Sequence, residues 1–511
     1  MSRKVAVVGG GPAGLYFARL LKRADPALEV VVHERMDGTA ETFGFGVGLT
    51  ESTMRNLRSA DPETAERVRE ASHVGHELRL HGHDGIVPLH GARNLAIGRA
   101  RLLEILTDAA MAVGVEIRRG VRVDATSLDA DVVVAADGVT SATRDKYAAE
   151  FGVRSRLGRS RFVWCGADFA VDSAYFSAAR RGDSLFVTHA YPYSPDRSTF
   201  LIEVDDLTWR DSGLEDFDRQ VQPGESDRAS VALLEEVFAS DLRGRGLLTN
   251  RTRWSRFTNL TLDTWSHENV VLLGDAAHTA HYTLGSGTKL ALEDAIALAE
   301  ALVGEASVAD AFAAYEGARR PSVERFKKLA HRSQAWWDSY RHRHEWSADR
   351  LALSYMTRSG NLMLSDYAGE QLPAARRALA WLGENVPDQA GELEGWVLAQ
   401  PLDHPGMELA GRSVSRDGLK VAAAVREIGW SEPDVWSEAA DRLVSRMRGS
   451  DDLPILLTGP DAPDAVPARV DLAERLRMEL SRPIGVQVPV AATSLAATAV
   501  AAGRADFVVT R

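Results

Sequence analysis

The sequence contains a single cysteine, Cys165, so it can form neither an intramolecular disulfide framework nor a thiolate metal site. A lone thiol fits a reducing compartment, and its plainest role is a small buried core side chain. Long apolar runs are also missing. No stretch is apolar enough to span a bilayer, and the opening MSRKVAVVGG runs straight into a strand with no room for a signal peptide. The expectation is a cytoplasmic protein with no membrane partner. Positive charge is not in surplus either: 60 Lys and Arg face 72 Asp and Glu, for a net charge of -12. That balance argues against a nucleic-acid partner, whose phosphates require a concentrated basic field. No cluster of ligands at metal spacing is found, so no metal is expected.

What is present is the composition of a globular protein, 45% hydrophobic and 26% charged over 511 residues, long enough for two or three domains. The opening KVAVVGGGPAGLYFARLLKRADPALEVVVHER reads as buried strand, glycine turn, amphipathic helix and second buried strand, a parallel βαβ unit. Another buried strand, DVVVAADG, follows at 131–138. From about residue 160 the pattern becomes short aromatic and β-branched runs (RFVWCGADF, DSLFVTHAYPY, STFLIEV), which predict an antiparallel sheet. NVVLLGD at 269–275 returns to the first style, so two domains are interleaved. Residues 288–342 carry helical spacing, and beyond 385 a proline-punctuated segment leads into a further module.

In GGGPAG the glycines Gly9, Gly11 and Gly14 form G-x-G-x-x-G between a buried strand and a helix, with Pro12 and Ala13 opening the helix. Gly9 permits the tight turn, Gly11 lets backbone amides approach a pyrophosphate, and Gly14 allows close helix packing, with the helix N-terminus facing the negative charge. Glu34, followed by Arg35, ends the second strand, where an acidic side chain accepts hydrogen bonds from a ribose. A nicotinamide enzyme and a flavin enzyme share this Rossmann-like unit. Two later segments favour flavin: AADGVTSATR (135–144), with Asp137 and Gly138 at a strand end, and LLGDAAHTAHYTLGSGTKLALEDA (272–295), with Gly274 and Asp275 at another.

Those two segments resemble fingerprints of the class A flavoprotein monooxygenases, the para-hydroxybenzoate hydroxylase superfamily, over about residues 3–345. The string around His281 and Tyr282, with RFVWCGADF, STFLIEV and SQAWWDSY, resembles the subgroup of salicylyl-CoA 5-hydroxylase and anthraniloyl-CoA monooxygenase. Two positions depart from the superfamily pattern: Tyr282 stands where proline is usual and Lys289 where asparagine is usual. The resemblance implies an α/β fold, with a Rossmann-like FAD-binding domain interleaved with an antiparallel-sheet substrate domain, a helical segment and a small α/β C-terminal module. The boundaries expected are 1–160 and 256–385 for the FAD-binding parts and helices, 161–255 for the substrate sheet, and 386–511 for the last module. PLDHPGMELAGRSV (401–414) and AVAAGRADFVVTR (499–511) resemble the opening and close of an old-yellow-enzyme reductase barrel. Since an eight-stranded barrel takes about 250 residues, a collapsed remnant without a second redox centre is expected.

By the same resemblance Glu34 holds the adenosine ribose, Arg99 the pyrophosphate region and Asp275 the ribityl chain, while Asp137 and Gly138 line a channel shared with NADPH or NADH. A helix opening near Gly285, Gly287 and Thr288 would turn its positive end toward the flavin pyrimidine edge. The glycine-rich FGFGVGL (43–49) suits a loop crossing close over the flavin ring, with Phe43, Phe45 and Gly46 against it; the alternative is a surface turn, which would leave Phe43 and Phe45 in water at a cost. The reaction implied is hydroxylation of an electron-rich aromatic substrate by O2 at the expense of NAD(P)H, with the flavin supplying the chemistry.

Four residues are candidates for substrate chemistry: His281, Tyr282, His189 and Tyr191, with Tyr193 and Lys289 beside them. An imidazole near a phenolic or anilinic ring can accept its proton, and His281 is the first choice. For His189, Tyr191 and Tyr193 ordinary core packing is an equal alternative, His278 reads as a packing residue, and Trp164 reads as core. The substrate implied is a benzoyl, salicylyl or anthraniloyl ring, free or as a CoA or carrier-protein thioester, on a monomer or homodimer. RSRLGRSR (154–161) reads as a solvated linker, with a CoA phosphate contact as the sharper alternative. Other readings are hydroxylation of a free indole or tryptophan-like amine, a flavin halogenase (whose W-x-W-x-I-P string is missing), a nicotinamide dehydrogenase, and a non-catalytic FAD-stabilised interaction protein.

Overall fold

The computed structural model describes residues 3–38, 44–222, 224–285 and 287–511. It forms two compact units, Met1–Arg79 with Gly91–Ala330, and Leu80–His90 with His331–Arg511. In chain order the strands up to residue 272 are β1 (Lys4–Val8), β2 (Glu29–His33), β3 (Gly46–Thr50), β4 (His73–His81), β5 (Ile86–Gly98), β6 (Glu116–Arg118), β7 (Val132–Ala135), β8 (Arg154–Ala167), β9 (Ala174–Arg181), β10 (Ser184–Ser194), β11 (Arg197–Val204), β12 (Leu247–Leu248), β13 (Ser255–Thr261), β14 (Ser266–His267) and β15 (Val270–Leu272), all in the first unit except the ends of β4 and β5 within residues 80–90. They make two sheets.

The first sheet runs β14-β15-β7-β1-β2-β6, parallel from β15 to β6. Its strands are short runs of valine and leucine buried on both faces, as a helix-covered parallel sheet requires. The chain leaves this sheet after β7 and returns at β15, so the interleaving expected from the sequence is present. The order sets the carboxyl ends of β1, β7 and β15 side by side, which brings together the three glycine-containing segments at residues 9–14, 136–138 and 274–275.

The second sheet has nine strands in the order β12-β8-β11-β10-β9-β4-β5-β3, with β13 also on β8. Strands β8 to β11 pair antiparallel, and the two-residue alternation sorts their side chains onto two unlike faces. One face carries Val163, Cys165, Phe186, Phe200, Ile202 and Val204 into an apolar core with Trp209, Leu234 and Phe238. Burial there pushes the Cys165 thiol up to about 12, which makes it an inert core group. The register turns the opposite residues, Phe162, Trp164, His189, Tyr191, Leu201 and Glu203, to the other face. Trp164, read from the sequence as core, is half-buried on this second face. Residues 154–161, read as a linker, are the first half of β8, with Arg154 paired to Asp263 and Arg161 to Asp206.

The second unit holds a hairpin, β16 (Leu402–His404) and β17 (Met407–Leu409), and the strands β18 (Ser413–Ser415), β19 (Arg426–Gly429), β20 (Ile455–Thr458), β21 (Ile484–Val488) and β22 (Phe507–Thr510). The five form an open parallel sheet ordered β18-β22-β21-β20-β19, so the first strand lies beside the last. Residues 331–385, grouped from the sequence with the flavin part, cluster instead with this unit. The physical reason is a shared core: Leu353, Leu364 and Tyr367 pack in one cluster with Leu443, Leu457 and Val486.

Candidate functional site

The turn after β1 is shaped by contacts that only glycine allows. Gly9 has φ +110°, and a side-chain carbon there would lie 2.3 Å from the Ala136 carbonyl oxygen. On Gly14 it would lie 2.2 Å from the Gly9 carbonyl oxygen and 3.2 Å from the Ala136 side chain, and on Gly274 3.1 Å from the Ala13 side chain. The three segments therefore interlock. Other glycines of these segments are uncovered, with nothing within 4 Å of where side chains on Gly11, Gly138, Gly285 and Gly287 would begin. Gly11 caps the helix Pro12–Ala24, Pro12 occupies its first turn, and a second helix, Gly287–Gly304, starts with Thr288 in its first turn.

Polar groups are set around the same segments. Glu34 accepts from the backbone N–H of Gly10 at 2.6 Å and of Met36 at 2.8 Å, and Arg35 beside it is exposed. Asp137 accepts from the N–H and hydroxyl of Thr143 through one oxygen, while its other oxygen is buried without a partner. Arg99 starts the helix Arg99–Ala112, and its N–H donates to the Phe45 carbonyl at 2.7 Å. Its buried Nε also has no hydrogen-bond partner. Asp275 is exposed on one side but enclosed by protein on the others; this enclosure raises its pKa, with His278 and Arg99 pulling the opposite way. Phe43 lies outside the described residues, whereas Phe45 packs against Gly166, whose side-chain position is 2.5 Å from the ring. An orphaned buried guanidinium nitrogen, an orphaned carboxylate oxygen and uncovered glycine backbone fit a dinucleotide.

The mixed face of the second sheet gathers the substrate candidates. Tyr282 donates its hydroxyl to the buried Glu203 carboxylate, and His189 Nε2 is 3.6 Å from the same oxygen. Burial alone would push the Glu203 carboxyl up, but His189, His281 and the Tyr282 hydrogen bond outweigh it and hold it below the usual range. Phe162 lies 4.9 Å from the Tyr282 ring and Phe257 lies 4.7 Å from the His281 ring, edge-on, so apolar rings enclose the polar group. His281 Nδ1 is 3.0 Å from the Thr283 hydroxyl. Tyr191 is different: its hydroxyl donates to the Gly46 carbonyl at 2.7 Å, and burial pushes its phenol up to about 12, so it ties down the start of β3. Tyr193 packs against the same glycine.

Sequence reasoning missed Glu203. The signal was there, an acid inside the otherwise apolar strand STFLIEV, but only the register shows which face it takes. It also missed the partners of the helix Gly287–Gly304. His278 Nε2 meets Asp294 at 2.6 Å, and Arg319 reaches Asp294 at 2.8 Å and Glu293 at 3.1 Å. Lys289 pairs with Glu293 at 2.7 Å rather than standing free. Among the described residues, no group of three or more His, Cys, Asp or Glu is placed to hold a metal ion, and no helix is long and apolar enough to cross a membrane.

The profile of a family described as an FAD binding domain matches residues 2–132 and 124–330. The chain belongs to this family and is an FAD-dependent aromatic monooxygenase. It is 35% identical over 527 aligned positions to a salicyloyl-CoA 5-hydroxylase of a Streptomyces species, covering 99% of each chain. It is 39% identical to the 3-hydroxy-4-methyl-anthranilyl-[aryl-carrier protein] 5-monooxygenase of Streptosporangium sibiricum, over 72% of this chain and 97% of that one. The solved tetrameric form of 2-methyl-3-hydroxypyridine-5-carboxylic acid oxygenase shares the fold, with a TM-score of 0.52 at 22% identity over 73% of this chain and 96% of the other.

Proposed function

We propose that this monooxygenase hydroxylates an aryl thioester whose ring carries a hydroxyl or amino group, of the salicyloyl or anthraniloyl type, and that it works in the cytoplasm. The observation that carries the reading of the ring is the buried Glu203 carboxylate with Tyr282, His189 and His281 around it. Such a group can accept or relay a proton, which suits a ring that carries a titratable hydroxyl or amino substituent. The thioester rests on the comparisons: the relative that spans this whole chain acts on a CoA thioester, and the one that spans 72% of it acts on a carrier-bound ring.

Gly9, Gly11 and Gly14, with the N-terminus of the helix Pro12–Ala24, would hold the FAD pyrophosphate; Glu34 the adenosine ribose; Arg99 the phosphates; and Asp275 the ribityl chain. Gly285, Gly287 and the helix start at Gly287 would lie at the flavin edge, and Asp137 and Gly138 beside the path of NAD(P)H. When bound and reduced by NAD(P)H, FAD supplies the activation of O2, of which one atom enters the ring and the other leaves as water. The protein's part is to orient, exclude water and move protons. As the ring carbon is attacked, the ring hydroxyl or amino group becomes acidic, and His281 takes its proton. Glu203, kept ionised by its neighbours, holds the Tyr282 phenol in one orientation and offers negative charge to the imidazoles as they become cationic. Phe162 and Phe257 keep water from this group.

The test is turnover with paired substrates: salicyloyl-CoA and anthraniloyl-CoA against the free acids, following NADPH oxidation, O2 uptake and the mass of the product. Coupled hydroxylation of a thioester is expected. Equal or better hydroxylation of the free acids would remove the thioester from the reading.

A further inference from the structure

The second unit contains a group of cations that its own carboxylates do not balance. The guanidinium of Arg350, in the helix Ala348–Thr357, lies between two indoles, 3.9 Å from the Trp346 ring centre and 3.8 Å from that of Trp381. Arg412 and Arg477 approach the same Trp381 ring, at 5.7 and 5.9 Å. Arg350 and Arg477 also converge on Gly503: a side-chain carbon there would lie 3.3 Å from Arg350 Nη2 and 3.4 Å from Arg477 Nη1. Like charges this close repel unless a counter-charge intervenes. Among the described residues Asp506 is the carboxylate paired within this group: Arg477 Nε binds it at 2.7 Å and Arg412 Nη1 donates to its backbone carbonyl, while a fourth guanidinium, Arg343, 5.8 Å from the Trp346 ring centre, is paired with Glu474 at 3.0 Å. Four cations against two anions leave a surplus of two.

The donors show the same deficit. Arg350 Nε, Arg412 Nε and Trp381 Nε1 are buried without a hydrogen-bond partner, and Arg412 is 8% exposed. Burial and the neighbouring cations push Arg350 down to about 9 and lower Arg412 as well, the response of groups held together without enough negative charge. Trp346, Arg350, Trp381 and Arg477 are each half-buried, so the cluster reaches solvent. A doubly charged, multiply accepting group closes both the charge and the hydrogen-bond deficit, and a phosphomonoester at neutral pH has that charge and those oxygens. The half-exposed indoles offer the flat apolar surface on which a ribose or base packs.

We propose that Arg350, Arg412 and Arg477, framed by Trp346 and Trp381, bind the phosphomonoester of an adenine nucleotide. Two molecules of this chemistry meet an enzyme of this class, CoA through its ribose 3′-phosphate and NADPH through its 2′-phosphate. The site does not depend on the aryl-thioester reading, and failure of thioester turnover leaves it intact.

The test is calorimetric titration of the full FAD-loaded chain with CoA against dephospho-CoA, and with NADP+ against NAD+. In at least one pair the phosphorylated member is expected to bind tighter by about tenfold or more, as charge-assisted hydrogen bonds imply. A preference in the first pair assigns the site to CoA, and in the second to the reductant. Arg350→Gln is expected to abolish the preference while flavin content and melting temperature are retained; if that variant does not fold, Arg412→Gln is read the same way. No preference in either pair, or a preference that survives the substitution, overturns the proposal.

Discussion

In the first unit the buried Asp294 meets both His278 and Arg319, and the buried Glu203 meets His189 and Tyr282, whereas in the second unit three guanidinium groups crowd one indole beside a single carboxylate, Asp506. The first arrangement is closed. Burial works against each carboxylate, yet partners within hydrogen-bond reach outweigh it, and both acids stay below their usual range. The second is open: burial and like charges act together on Arg350, and no local partner reverses them. Buried charge that is internally paired supports structure and poised chemistry, and buried charge that is left over asks for something from outside.

Substitutions can break this contrast. The largest effect is expected at the turn on which the flavin site is built. Gly9→Ala places a side chain 2.3 Å from the Ala136 carbonyl oxygen at φ +110°, a cost on the order of 3 kcal/mol or more, and the purified variant should carry almost no flavin by absorbance. Next, Asp294→Ala leaves the His278 and Arg319 partners buried without their anion. Unfolding in denaturant should show a loss of about 3 kcal/mol. Glu203→Gln should retain flavin and leave KM nearly unchanged while kcat falls about a hundredfold, because it removes charge but little volume. A matching fall in flavin content would make Glu203 a structural group only.

Against these, Arg350→Gln in the second unit should change stability by no more than about 1 kcal/mol, since relief of repulsion offsets the lost stacking on two indoles. A loss as large as that of Asp294→Ala would erase the contrast between the units. The smallest effect concerns pH. Burial, aided by His73, lowers His76 from its ordinary 6.5 to about 4. Between those values the unfolded chain binds a proton that the folded chain does not, so stability is lost as pH falls from about 6.5 toward 4. NMR titration should find this imidazole neutral at pH 5, and His76→Gln should remove part of the acid-side slope.

Much of the first unit was legible in the sequence because its signals are local. A buried valine run followed by G-x-G-x-x-G specifies strand, turn and helix within about thirty residues, and the acids at 137 and 275 mark the ends of two further strands. The alignment of those three strand ends depends on sheet order, which a motif suggests and only the fold displays. Glu203 was hidden for a related reason: alternation says that it faces away from Ile202, not what lies on its side of the sheet. Tyr191 shows the converse, since a tyrosine on the expected face spends its hydroxyl on the Gly46 carbonyl. The placement of residues 331–385 could not be read from helical spacing alone, because amphipathic helices do not announce which sheet they cover. The arginine group of the second unit draws on residues 350, 412 and 477 from separate elements, with no run of basic charge to mark it.

Above all, this chain should insert oxygen from O2 into an aromatic ring. Incubation of the FAD-loaded protein with NADPH and salicyloyl-CoA under isotopically heavy oxygen gas, followed by mass analysis of the product, tests it directly. One heavy oxygen atom in the ring, with none taken up from labelled water, is the predicted result. A product whose new oxygen comes from water, or NADPH consumption that yields only peroxide with every aryl thioester and free aryl acid tried, would contradict it.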